Sequence, residues 1–264
     1  MGRQKRRTLR KRGRSKRRSI ARYKKVGGAS QERTYVFIIP YRARGNQTER
    51  RGQLQNGMNS IRECFTANKK LYKIIVVEQD NDHPFNMGIL KNIGFLEAEK
   101  IFEEPKVYLH FNADYSIDTS QEFPKELDEF DGNGFLDIHV VDIDDVYKYI
   151  GGCTCFNSSV FKKLNGFPNN LFGYGGEDAA LRARVDKLNV PYIRNTLLEK
   201  NWVTAEDIIE RNLSRMPVNG ELVPKNSSEI SGLSTCEYVI NGRGEFYSPA
   251  DNIHHLLADF EFTE

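Results

Sequence analysis

Tyr35-Val36-Phe37-Ile38-Ile39-Pro40 is a continuous apolar run closed by a proline, the pattern that a parallel strand buried on both faces requires. Around it the chain alternates. Residues 51–65 read as a helix and residues 72–77 as a second apolar strand. Residues 86–102 place Ile89, Leu90, Ile93, Leu96 and Ile101 along one helical side, and residues 107–111 read as a third strand. Strand, helix, strand, helix, strand predicts an α/β fold with a Rossmann-like, doubly wound mixed sheet, in which ligands gather outside the carboxyl ends of the strands. Chemistry is therefore expected on the loops after Ile39, Val77 and Phe111. Farther on, strands are expected near 137–141 and 147–150 and a helix over 177–187. Residues 31–264 read as one domain.

Charge divides the chain. Of its 39 basic residues, 14 fall within the first 25 positions, where no acid occurs; this leaves 25 against 36 acids, a formal −11 for the rest. So basic a segment cannot bury enough surface to offset the entropy of ordering, and residues 1–30 read as a disordered basic arm able to contact nucleic acid or another polyanion. Cys64, Cys153, Cys155 and Cys236 are too few and too scattered for a disulfide framework or a zinc ribbon, and are expected as reduced, buried thiols. No apolar run of membrane-spanning length and no secretory leader occurs, so a soluble protein of cytoplasm or nucleus, viral or microbial, is expected.

Three stretches carry candidate chemistry. Pro40-Tyr41-Arg42-Ala43-Arg44 places two guanidiniums where both could reach one pair of phosphates. Asn112-Ala113-Asp114 follows the third strand, where an acid can offer oxygen to a hard cation, although both end residues also suit a plain turn. The third stretch, Asn165-Gly166-Phe167-Pro168-Asn169-Asn170-Leu171-Phe172-Gly173-Tyr174-Gly175-Gly176-Glu177-Asp178, combines glycines that let a ligand approach the backbone with flat aromatic faces suited to sugars. Its two carboxylates open a helix, where they also complement the helix dipole.

With Tyr149-Ile150-Gly151-Gly152 before it, Phe85-Asn86 and residues 90–98 upstream, and Gly232-Leu233-Ser234 and Tyr238 downstream, this set resembles the β-1,4-galactosyltransferase family of inverting, metal-dependent glycosyltransferases with the GT-A fold. The resemblance runs over about residues 35–240. It implies transfer of galactose from UDP-galactose to a sugar hydroxyl of a glycan or glycoconjugate. Asp178 falls on the general base, with Glu177 beside it. Pro40, Tyr41, Arg42, Arg44, Phe85, Asn112, Ala113, Tyr149 and Gly152 fall on the donor site. Within that site the arginines meet the diphosphate, Phe85 packs on uracil and Tyr149 crowds out an N-acetyl group. Phe172, Tyr174, Gly175 and Gly176 fall on the acceptor side. Asp114 matches the acid that binds Mn²⁺, and Asp207 falls near the second ligand, where Mg²⁺ would serve as well.

The chain departs from the pattern at several positions. Asn112 replaces the first acid of the Asp-x-Asp motif, Tyr174 a tryptophan and Met87 an arginine, and no histidine stands near Asp207. His254 and His255 are expected at the surface. The alternative function is a catalytically inactive binding protein with this fold, whose basic arm holds nucleic acid or another polyanion.

Overall fold

The computed structural model describes residues 33–43, 47–103, 106–138, 150, 153–173, 176–194, 202–205 and 231–261. The basic segment is outside them, as are Arg44, Tyr149, Gly152, Tyr174, Gly175 and Asp207. The strands are β1 (Thr34–Tyr41), β2 (Leu71–Gln79), β3 (Lys106–His110), β4 (Tyr115–Ile117), β5 (Phe135–Ile138), β6 (Cys153–Phe156), β7 (Tyr192–Arg194), β8 (Val203–Ala205), β9 (Val239–Arg243) and β10 (Ile253–Asp259). The helices are α1 (Gln47–Ala67), α2 (Met87–Ile101), α3 (Lys125–Asp128), α4 (Ser158–Lys163) and α5 (Glu177–Lys187).

Eight strands form one mixed sheet in the order β7-β5-β6-β3-β1-β2-β10-β9, and β4 and β8 form a separate antiparallel pair. The central β3, β1, β2 and β10 are parallel, whereas β6 and β9 run against their neighbours. Alternation along β1 separates two cores. Tyr35, Phe37, Ile39 and Tyr41 face α1 through its Leu54, Met58, Ile61 and Phe65, a spacing of four, three and four residues that makes one helical stripe. Val36 and Ile38 face the other way, onto Ile89, Leu90 and Ile93 of α2.

The expected elements up to residue 111 are present, and the helix expected at 177–187 is α5. Pro40 does not close its strand. It pairs in register with Val77, and Tyr41 pairs with Glu78. The carbonyl of Ile38 accepts from Phe111 N–H at 3.0 Å, so Ile38 turns its backbone toward β3, as does Pro40 two residues on. Pairing with β3 ends at Ile38 and His110, so the N–H that proline lacks has no ladder partner to lose. The strand expected at 137–141 corresponds at its start to β5, which begins two residues earlier, and residues 139–149 are outside the described residues.

The sequence pattern does not foreshadow β10, which lies between β2 and the edge strand β9. Its residues alternate only weakly between apolar and polar. The expectation of a surface His255 fails with it. That ring is fully buried, its Nε2 2.9 Å from Glu78 Oε2, while His254 is part buried. All four cysteines are free thiols; Cys64, Cys153 and Cys155 are buried and Cys236 is part buried. Among the described residues, no helix is long and apolar enough to cross a membrane.

Candidate active site

The carboxyl ends of β1, β2 and β3 lie side by side, and three loops leave them. From the first, the guanidinium of Arg42 donates to the main-chain carbonyls of Asn81, at 2.6 Å, and His83. Gln79 braces the second loop from within. Its Nε2 donates to Asn81 Oδ1 at 2.8 Å and His83 O at 2.9 Å, and its Oε1 accepts from Asn86 N–H at 3.1 Å. Phe85 is carried on this braced loop, and its carbonyl accepts from Gly173 N–H at 2.7 Å. Arg42 thus binds its own chain, where a diphosphate partner was expected. A guanidinium has five donors, so N–H groups remain for a phosphate.

On the third loop, Tyr115 N–H donates to Asn112 O at 3.0 Å, closing a turn over Ala113 and Asp114. Asn112 Oδ1 is buried and has no hydrogen-bond partner among the described residues. An acceptor of this kind costs free energy until a donor reaches it. Ala205 of β8 lies opposite Tyr115 of β4, so the chain leaves β8 one residue's pairing away from Asp114. Among the described residues no cluster of three metal-ligating side chains occurs. The oxygen of Asp114 is of the type that a hard divalent cation accepts.

The other wall is built on α2. Asn86 caps this helix by accepting from Ile89 N–H at 3.0 Å, and its Nδ2 reaches Asn169 O at 2.5 Å. Asn92, in the second turn of the helix, donates to Phe167 O and Asn169 Oδ1, each at 2.8 Å, and Asn169 Nδ2 donates onward to Gly232 O at 2.8 Å. Three buried amides therefore hold the glycine- and aromatic-rich segment against α2 and against residues 231–235. Arg184 of α5 adds donors to Asn165 O at 3.0 Å and Gly166 O at 2.6 Å.

That segment delivers the two carboxylates. Gly176 precedes α5 with φ +97°, a conformation open to glycine at little cost, and the turn sets Glu177 and Asp178 in the first turn of the helix. Glu177 is buried; burial and the neighbouring Asp178 charge push its carboxyl pKa up. The Asp178 side chain keeps a quarter of its surface exposed, and its Oδ1 lies 3.5 Å from the ammonium of buried Lys91. Burial raises the Asp178 pKa and the Lys91 charge opposes that rise. Lys91 Nζ also lies 4.8 Å from the centroid of Phe167, whose ring is 5.0 Å from that of His110 at the end of β3. Through Lys91 and Phe167 the Asp178 carboxylate is linked to the strand that leads to Asn112 and Asp114. Ile150 N–H reaches the Asp178 carbonyl at 3.5 Å.

Of the expected site residues, Pro40, Tyr41, Arg42, Phe85, Asn112, Ala113 and Asp114 stand at the carboxyl edge of the sheet, and Phe172, Gly176, Glu177 and Asp178 on the segment held by α2. Arg44, Tyr149, Gly152, Tyr174, Gly175 and Asp207 are outside the described residues. Sequence reasoning missed Gln79, Lys91, Asn92 and Asn169. The helical pattern offered no signal for the pair on α2: Lys91 and Asn92 fall off the apolar stripe of Ile89, Leu90, Ile93 and Leu96, where polar residues are ordinary, and only the fold buries them.

Residues 5–116 match the family model for the N-terminal region of glycosyl transferase group 7, and residues 141–200 match that for the N-terminal domain of galactosyltransferase. Mouse β-1,4-galactosyltransferase 4 is 30% identical over 176 residues, 63% of this chain and 49% of that protein. A β-N-acetyl-D-glucosaminide β-1,4-N-acetylglucosaminyl-transferase of Lymnaea stagnalis is 32% identical over 169 residues, 61% of this chain and 32% of that protein. The chain thus spans half or less of the length of these relatives. Among solved structures, a mutant Drosophila β1,4-galactosyltransferase 7 in complex with manganese, UDP-Gal and xylobiose superimposes with a TM-score of 0.63 at 16% identity, covering 88% of this chain and 96% of that one. At that identity the likeness is one of fold.

Proposed function

Because this chain belongs to the β-1,4-galactosyltransferase family of glycosyltransferases, we propose that it transfers galactose from UDP-galactose, with inversion, to a sugar hydroxyl of a glycan or glycoconjugate, using Asp178 as general base. The observation that carries this reading is the Asp178 carboxylate, part exposed, paired to Lys91 and linked through Phe167 to the end of β3.

An inverting displacement needs one carboxylate to take the proton from the acceptor hydroxyl as its oxygen attacks the face opposite the leaving group. A raised pKa makes Asp178 a better proton acceptor than a free aspartate, and the Lys91 charge favours its ionised form. Asn112 Oδ1 can accept from a donor hydroxyl such as that of the ribose, and Arg42 can turn its remaining N–H groups to the diphosphate. Asp114, with Asp207, would hold Mn²⁺ or Mg²⁺, which when bound supplies positive charge to the departing UDP. The manganese and UDP-Gal bound by the Drosophila enzyme support this choice of donor and metal. Family membership favours an enzyme over a polyanion-binding protein.

The test is purified protein with Mn²⁺, offered UDP-galactose, UDP-N-acetylgalactosamine, UDP-N-acetylglucosamine and UDP-glucose with a panel of saccharide acceptors. UDP-galactose is the donor expected to turn over. Asp178→Asn should lower kcat by about 10³-fold or more while UDP binding persists. Absence of metal-dependent UDP binding by the wild-type chain overturns the reading, and preference for UDP-N-acetylglucosamine, the alternative suggested by the Lymnaea relative, would reassign the donor.

A further inference from the structure

We propose that Lys91 is the counter-charge and positioning residue of Asp178, an assignment that rests on the reading of Asp178 as the base. Lysine is almost never fully buried unless its ammonium is paired. Lys91 is 1% exposed on α2, and among the described residues Asp178 is the carboxylate within 4 Å of it, at 3.5 Å. The face of Phe167, 4.8 Å from Nζ, provides a further favourable contact for the charge.

Among the described residues, the groups around this pair are few. Glu177 faces it from α5, where burial and the Asp178 charge favour the neutral acid. From β3 comes His110, which burial and the Lys91 charge keep neutral, and from β6 comes Cys153, whose thiol burial keeps protonated. Asn92 and Asn169 carry no charge. One ammonium therefore balances one carboxylate. Without Lys91, Asp178 would sit in a buried wall beside Glu177 with no cation, and would retain its proton at neutral pH. The pair also orients the group. Asp178 Oδ1 is buried toward Lys91, so the exposed quarter of the side chain lies away from that oxygen, where an acceptor hydroxyl can approach.

The test uses the full chain in four forms: Lys91→Met, Lys91→Arg, Asp178→Asn and the double variant Lys91→Met/Asp178→Asn. Lys91→Met should move the acidic limb of the kcat–pH profile upward by about 1–3 pH units, with KM for UDP-galactose within about twofold, and Lys91→Arg should restore much of the wild-type profile. In urea unfolding, the double variant should be more stable than the sum of the two single losses, because it leaves no unpaired buried charge. If Lys91→Met does not fold, folding of the double variant supports the pairing and failure of the double variant overturns it. An unmoved acidic limb, or strictly additive losses, also overturns it while leaving Asp178 as the base. If instead Asp178→Asn keeps full kcat, the base reading fails and the unfolding cycle alone decides the pairing.

Discussion

Asn92 and Phe167, 75 residues apart in the chain, exchange two hydrogen bonds: Asn92 Nδ2 donates to Phe167 O at 2.8 Å, and Phe167 N–H donates to Asn92 Oδ1 at 2.9 Å. A side-chain amide here replaces a strand neighbour, satisfying both backbone groups of a buried loop residue. Asn92→Leu leaves both groups buried and unpaired and should destabilise the fold by about 3 kcal/mol. The denaturant midpoint, at unchanged m-value, measures the loss.

Gly94 lies in α2 where that helix crosses β1. A Cβ at this position would fall 2.4 Å from Ile38 Cγ2 and 3.1 Å from Val77 Cγ2. Glycine to alanine inside a helix ordinarily gains up to about 1 kcal/mol. Here Gly94→Ala should instead lose about 1–3 kcal/mol, because β-branched neighbours in a packed sheet cannot give way. A melting temperature above that of the wild type would contradict this packing.

Glu99 ties α2 to β3 and α4. Burial alone would raise its carboxyl pKa, but hydrogen bonds from Lys162, Tyr108 and Ser158, with the nearby Lys106 charge, bring it down to about 2. A lowered acid contributes stability above its unfolded value, lost as pH falls through the folded one. Glu99→Gln should therefore cost roughly 3 kcal/mol at neutral pH, and the gap to the wild type should close in strong acid. Urea midpoints across a pH series provide the comparison.

Glu177 should behave in the opposite sense. Its pKa is raised by burial and by Asp178, so the stability of its neutral form is present at acid pH and is lost as pH climbs above the ordinary carboxylate range. Glu177→Gln removes that dependence. Thermal melts between about pH 5 and pH 8 should show the variant gaining on the wild type as pH rises. Parallel curves would mean that Glu177 is ionised throughout.

Arg42 spans two carbonyls of the loop that carries Phe85, which an ammonium cannot do with the same fixed fork. Arg42→Lys should lower kcat/KM for UDP-galactose by about tenfold or more, chiefly through KM. Donor titrations at fixed acceptor concentration would show it.

The apolar runs at 35–40 and 72–77 and the helical stripes between them were enough to set the order of β1, α1, β2, α2 and β3, because burial on both sheet faces leaves little choice of residue. The same local pattern placed Asn112, Asp114 and Asp178 at the carboxyl ends of strands and the head of a helix. Strand pairing across the chain was not legible. Neither β10 beside β2 nor the burial of His255 against Glu78 has a local signature, since each depends on a partner more than 170 residues away. For Lys91 the chain order shows only a charge within an apolar helix. Folding converts that charge into the partner of Asp178, because a buried ammonium is stable only where a distant carboxylate is brought to meet it.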